Sequence, residues 1–581
     1  MGLLQRAAET YDFHLDYVGD IQQGHHPLAP IGHIETRADV EITLNSAGSF
    51  VSARAVDKSE PKILIPVTED SGGRSGKNAY MLAHPLCEKL SYLTAQENYY
   101  IPPLERWAAS SYTHPLLLPI LTYVKRNNIL SDLTDSGITA DEKNLIRWRV
   151  ITDDGVSHAC WTEQSLFEAY SQYYLSQLGE RETQLCMISG EELPGAKQHP
   201  KGVVPINGNA KLISTNDSSN FTYRGRFSED WQAATVSYLA SQKAHNALRW
   251  LVAEQGVLWG NRTFLCWNPR GIQVCHAAGP FHRQEEPIRK PSDYRNALQN
   301  TLRGYRSTLP DGEWVVIAAL DAATTGRLAV TYYNELQGSD FLERLYQWDN
   351  HCCWYNGPYG IQSPTLLQLV NGAYGTQRVE KNAAKLVTDE RLLPQQLQRL
   401  MACRVDGMPL PRDLVRGLVN RASMPQAYDP ALWRKLVFAA CAVLNQSIYR
   451  LKGEDAMSWE LDKKDRSFQF GRLLAVLERV EADYYATSGE ERQTNAIKAL
   501  SVFRQRPFHT YEQLNRHLQQ AYLPRVKGWQ RLRYERCLGE IMEIIRSFPE
   551  NQLDQPLQDV YLMGYDCQRN AFFKKTNTEE E

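Results

Sequence analysis

The run Ser71 to Asn78, SGGRSGKN, brings together glycines, two cations, a hydroxyl and an amide. Those are the residue types that grip phosphate and read base edges. A phosphate-cradling P-loop needs four residues between its glycines and a Ser or Thr after the Lys. Counting back five places from Gly76 gives Ser71 rather than glycine, and Asn78 stands where the magnesium-binding hydroxyl belongs. DNA contact is the other chemistry open to the loop. Glycine lets backbone approach a groove closely. Lys and Arg supply phosphate affinity, and Asn offers a donor and an acceptor to a base edge. On that reading Lys77 and Asn78 are the primary contacts, Ser75 lies between, and Arg74 clamps a phosphate. The bland alternative is a turn carrying solvated cations.

WVVIAALD (Trp314 to Asp321) has the form of an apolar strand ending in a magnesium-binding carboxylate. A nucleotide-dependent DNA-processing enzyme using Lys77 and Asp321 is therefore one expectation. A purely architectural scaffold is another. His25 and His26, Cys275-His276 and His351-Cys352-Cys353 each lack a second half at ligand spacing, so surface histidines and packed thiols are expected. HExxH, GxSxG and DFG-type signatures do not occur. No metal, cofactor or catalytic group is expected.

Two stretches interleave cations with aromatics, a mixture suited to single strands whose bases stack while phosphates pair. The first carries Arg283, Arg289, Lys290, Arg295, Arg303 and Arg306 near Phe281, Tyr294 and Tyr305. The second, between Arg504 and Arg536, holds eight Lys or Arg against two Glu. Its candidates are Arg504, Arg506, Arg525, Lys527, Arg531, Arg533 and Arg536. The competing reading is a solvated helix face with its rings turned inward.

These residues must be positioned by more than one core, since 581 residues exceed what a single domain supports. A net charge of −3 excludes a chain-wide cationic nucleic-acid binder, so contact must come from local patches. Eleven Cys without CxxC spacing predict reduced, buried thiols. The longest apolar run, Leu436 to Leu444, is too short for a bilayer, and the N-terminus lacks a signal-peptide core. A cytoplasmic protein is expected.

Residues about 15 to 70 alternate as strands, with Asn45-Ser46-Ala47-Gly48 as a turn. The segment AYMLAHPLCEKLSYLT after the glycine loop carries an apolar helical period, as do Ser111 to Asn127 and Trp231 to Glu254. IRWRVITDDG, AKLIST, WVVIAALD and RLAVTYYNEL read as strands. From about Pro364 helix formers dominate, and FGRLLAVLERVEADYY aligns Phe470, Leu473, Leu474, Leu477 and Val480 on one stripe. KKTNTEEE reads as a solvated tail. The fold class is α+β: mixed α/β in the N-terminal and central regions, with a C-terminal all-α bundle. The expected divisions are a strand-rich domain at 1–130, a central region at 131–363, a helical connector at 364–456 and the bundle at 457–581.

Several segments together carry a resemblance. Cys186, Ser189, Gly190, His199, Pro200, Gly208, Leu212, Ile213 and Ser214, then Tyr223 and Gly225, are similar to the central signature of the type I-C CRISPR surveillance complex (Cascade) large subunit. Arg224 and Asn209 are insertions relative to that pattern. The resemblance continues through RTFLCWNP, WVVIAALDAATTGRLAVTYYNE, MACRVDGMPLPRDLVRGLVNR, LDKKDRSFQFGRLLAVLERVEADYY and LMGYDCQRNAFF. It implies a subunit without a nuclease centre. Such a subunit inspects duplex DNA for a protospacer-adjacent motif (PAM), helps open it and supports the R-loop, while guide pairing reads sequence. Its implied partners are CRISPR RNA, target double-stranded DNA, backbone and crRNA-processing subunits, and a recruited helicase-nuclease. No membrane is among them. It also implies a small subunit from an internal start in the same gene, for which Met457 is the candidate.

Overall fold

The computed structural model describes residues 1–21, 26–74, 77–95, 99–139, 141–214, 235–380 and 383–573. Contacts divide the chain into two units, Met1–Gln273 with Trp314–Glu335, and Val274–Glu313 with Leu336–Glu581. The fold is α+β, and the terminal part of the chain is helical.

The first unit holds two sheets. In the first, strand Val40–Asn45 lies between Phe50–Ala55, antiparallel to it, and Leu145–Ile151, parallel to it. Strands Glu88–Lys89 and Ser157–Ala159 both pair with Leu145–Ile151. Alternation sends Val40, Ile42 and Leu44 into a core with Trp107, Trp148, Tyr100 and Tyr170. Glu41, on the opposite face, is 3% exposed. Its burial is tolerated because Arg147, Arg149 and Arg54 all donate to its carboxylate. The expected turn at Asn45 to Gly48 is present, with Gly48 at φ 69° and its N–H donating to the Asn45 carbonyl.

The second sheet runs Val257–Trp259, Arg262–Trp267, Trp314–Asp321, Ala329–Gln337 in order. Trp314–Asp321 is buried on both faces as its apolar run predicted. Helices Leu3–Phe13 and Tyr238–Gln255 share a core with this sheet.

In the second unit, helices Pro430–Lys452 and Arg466–Ser488 are the longest described. The apolar run Leu436 to Leu444 is buried inside the former, and the five stripe residues are buried in the latter. A Cβ on Gly471 would overlap the Tyr561 carbonyl, and one on Gly564 the Phe468 carbonyl. The two glycines thus let Arg466–Ser488 and Tyr561–Phe573 touch backbone to backbone. Met457 lies in the short turn Ala456–Ser458 between the two long helices, after Gly453 ends the first at φ 69°.

Three expectations about elements are corrected. AYMLAHPLCEKLSYLT is not one helix but a 3-10 turn (Lys77–Met81), the strand Glu88–Lys89 and a single helical turn, Leu90–Leu93. Pro85 has no N–H to give a helix and pushes His84 out of helical geometry. Among the described residues of AKLIST, 210–214, there is no strand: Lys211 makes only isolated bridges, to Lys201 and Arg327. The helical region after Pro364 contains the hairpin Thr376–Glu380 and Ala383–Val387, whose mixed polar sequence hid its alternation. His25, residues 215–234 (with Tyr223, Arg224 and Gly225) and the tail KKTNTEEE lie outside the described residues. Among the described residues, no helix is long and apolar enough to cross a membrane.

Candidate nucleic-acid interfaces

In the first unit, Thr68 caps the short helix Glu69–Gly73, accepting from the Ser71 N–H at 3.0 Å, while the Thr68 N–H donates to the Ser71 hydroxyl. The first three residues of the glycine-rich run are therefore helical. Glu69 is buried and accepts from Arg181 and from the N–H groups of Lys197 and Gln198. The Gln198 side-chain amide lies close over Gly73 and would have to swing aside for a side chain there.

Arg74 ends this helix. Its guanidinium forks onto the Glu88 carboxylate at 2.5 and 2.8 Å, donates to the Leu82 carbonyl and lies over the Tyr92 ring. The pair is buried, Arg74 10% and Glu88 0% exposed at the side chain. Glu88 also accepts from the N–H groups of His84 and Lys89, each at 2.7 Å. Arg74 thus ties the loop to strand Glu88–Lys89. Lys77 and Asn78 open the 3-10 turn beyond it. Ser75, Gly76 and the side chains of Lys77 and Asn78 lie outside what is described.

Sequence reasoning missed the cations beneath the loop. Lys201 donates to the Arg74 carbonyl at 3.2 Å, and Lys211 to the Gln198 side chain at 3.3 Å. Burial, then the nearby charges of Lys211, Arg74 and Arg249, hold the Lys201 ammonium below its usual pKa. Burial does the same for Lys211 and brings Arg249 to about 10. Like charges crowded in partial burial favour a nearby anion. Their signal was the spacing of Lys201 and Lys211 in a Gly/Pro-rich stretch, which carries no periodicity.

In the same unit, Cys186 closes the hairpin of Thr183–Leu185 and Glu192–Pro194, and its Sγ accepts from the N–H groups of Ser189 and Ser237. Burial opposes ionisation of the thiol, yet those hydrogen bonds outweigh it and bring the pKa down to about 7. Asp321 faces Arg262 across the second sheet and accepts from it at 2.6 and 3.0 Å, and from Asn261 at 2.8 Å. Its carboxylate is thus engaged within the chain.

In the second unit, the first basic stretch has turned its rings inward. Tyr294 is buried and donates to the Asp349 carbonyl, Phe281 packs on Tyr305, and Arg295 pairs with Asp455. The 504–536 stretch divides. Arg504 pairs with Asp559 at 2.8 Å, and Arg533 lies over Phe572 while donating to the Ala571 carbonyl. Arg506, Arg525, Lys527, Arg531 and Arg536 are exposed, with Arg531 against Glu535 at the surface. Trp529 and Leu532, not singled out from sequence, are 64% and 68% exposed. Trp529, Leu532 and Arg536 share one face of helix Gly528–Arg546, whose first residue follows Lys527. Lone exposed rings amid cations are what single-strand binding surfaces present. The Lys-Gly-Trp step was the legible signal.

The cysteines are free thiols, nine of the eleven buried. His351 stacks on Tyr449, and His26 donates its N–H to Glu254 in the first unit. Among the described residues, no group of three His, Cys, Asp or Glu side chains is arranged to hold a metal.

Comparison with known proteins gives one family: the model for the CRISPR-associated protein Cas_Csd1 matches residues 15–573. No curated protein matches the chain.

Proposed function

Since the chain belongs to the CRISPR-associated Csd1 family, the large-subunit family of type I-C Cascade, we propose that it recognises the PAM in target duplex DNA through the loop at 71–78. It then promotes duplex opening and R-loop formation and supports recruitment of the helicase-nuclease, without chemistry of its own. The observation that carries this reading is the cation cluster of Lys201, Lys211 and Arg249 beneath a loop tethered by Arg74. A fixed base at Arg74, where the glycine-rich run leaves its helix, limits the ordering cost of inserting the loop into a groove. Arg74 serves as the tether, and Lys77 and Asn78 as the phosphate and base contacts. The engagement of Asp321 by Arg262 and Asn261 favours this reading over the nucleotide-hydrolase alternative.

The exposed cations Arg506, Arg525, Lys527, Arg531 and Arg536, with Trp529, form the second contact, to the displaced strand. Copies of 457–581 made from an internal start would carry the same surface. CRISPR RNA, backbone and crRNA-processing subunits complete the assembly in the cytoplasm.

Gel shifts of the assembled complex on duplexes with and without a PAM test the reading. Lys77→Ala with Asn78→Ala should abolish PAM preference and leave assembly intact. Unchanged discrimination between the two duplexes would remove the loop from the mechanism.

A further inference from the structure

Helix Arg412–Ala422 and the C-terminal end of Pro430–Lys452 border a groove of about 580 Å³ in the second unit. Four arginines line it, Arg412, Arg416, Arg450 and Arg504, against one carboxylate, Asp559. Arg504 is answered by that carboxylate, and Arg450 donates to the Gly407 carbonyl. Arg412 and Arg416 are exposed and, among the described residues, have no ion-pair partner.

This arrangement works against helix stability twice. The two guanidinium groups stand four residues apart, side by side on the helix, and repel. Arg412 also occupies the first turn, at the positive end of the helix dipole, where the one acidic neighbour, Asp413, is taken up by Arg399. A bound anion relieves both penalties.

The groove also has an apolar wall. Pro409, Leu410 and Leu451 line it, with Leu451 83% exposed. Through Gln446 and Arg450, which line both, it adjoins a second groove of about 240 Å³ that includes Tyr449. The Tyr449 ring is stacked on His351 with centroids 3.3 Å apart, so it is held as a platform. The Gln446 Oε1 is enclosed without a hydrogen-bond partner among the described residues. Cations beside flat apolar surface suit a polymer alternating phosphates with rings. Bases can reach such a wall only when unpaired, which favours a single strand over a duplex.

We infer that this groove and the one adjoining it hold a stretch of single-stranded nucleic acid, its phosphates on Arg412 and Arg416 and its bases against Leu451 and, past Arg450, on Tyr449 of the second groove. None of the groove's lining residues belongs to the 71–78 loop or to the Trp529 face. It leans on the proposed function only for where the strand comes from.

The test uses the full chain, with labelled mixed-sequence DNA and RNA oligonucleotides and poly-glutamate, read by fluorescence anisotropy across salt concentrations. Arg412→Glu with Arg416→Glu should weaken oligonucleotide binding by about 10-fold or more. It should also reduce the salt slope by about 1.4, two phosphates at about 0.7 each for single strands. A larger loss for DNA, or for RNA, supports the inference and identifies the source. Arg412→Gln with Arg416→Gln should act in the same direction, which keeps the test decisive if charge reversal unfolds the helix. Parental affinity and slope for both oligonucleotides would overturn the inference. So would loss of poly-glutamate binding alone, which would make the groove a site for an acidic protein. The groove is read on single strands with the Arg412 and Arg416 variants and PAM discrimination on duplexes with the loop variant, so failure of PAM recognition and failure of the groove are separable.

Discussion

Glu88→Gln is the sharpest perturbation the first unit offers. The native carboxylate is fully enclosed and accepts four hydrogen bonds, two from Arg74 and one each from the His84 and Lys89 N–H groups. Glutamine keeps the shape but removes the charge and one oxygen acceptor, and it leaves the guanidinium enclosed without a counter-ion. Breaking a buried pair from one side costs about 3–5 kcal/mol. Because Arg74 is 10% exposed and can partly rehydrate, about 3 kcal/mol is the expected cost. Hydrogen exchange read by mass spectrometry on peptides spanning 69–93 reports this directly. Opening of the segment should become about 100-fold more frequent, while peptides of the second unit remain as in the parent. Arg74→Lys discriminates between tether and clamp. A point charge retains phosphate affinity but loses the fork, so a tether predicts faster exchange in this variant, and a phosphate clamp predicts none. Exchange within about threefold of the parent for Glu88→Gln, below about 1 kcal/mol, would refute the reasoning.

Burial pushes His33 and His199 down to about 4 and His245 to about 3, so all three are neutral in the folded first unit. Their contribution is fully present above the unfolded value of about 6.5 and is lost as pH falls toward 4. Acidification from pH 7 to 5 should therefore cost up to about 2 kcal/mol per histidine, seen as a falling urea midpoint for this unit. A flat or rising midpoint would contradict the assignment. In the second unit, Gly564→Ala sets a methyl against the Phe468 carbonyl. Both atoms belong to backbone, so a loss of about 1–3 kcal/mol is expected, measured by urea denaturation followed by tryptophan fluorescence; an unchanged midpoint would deny the close approach. Changing Met457 to Leu should eliminate a second, shorter product when the intact gene is expressed. A product that persists, or no such product from the parent gene, ends the internal-start reading.

Local sequence pattern determined much of this protein. Alternation located Val40–Asn45, a continuous apolar run located Trp314–Asp321, and the five-residue stripe located Arg466–Ser488, because such patterns depend on neighbours only a few residues away. The family signature was legible for the same reason, as ordered short motifs. Tertiary structure decided what each charge does. Arg74 reads as a free cation beside glycines, yet Glu88, fourteen residues on, encloses it. Asp321 reads as a metal carboxylate, yet the facing strand supplies Arg262. Lys201 and Lys211 gather under the loop, and Trp529 stays in solvent while Tyr294 turns inward. Charge and burial depend on distance through space, and the pairs that fix them are separated along the chain by spans that no periodicity records.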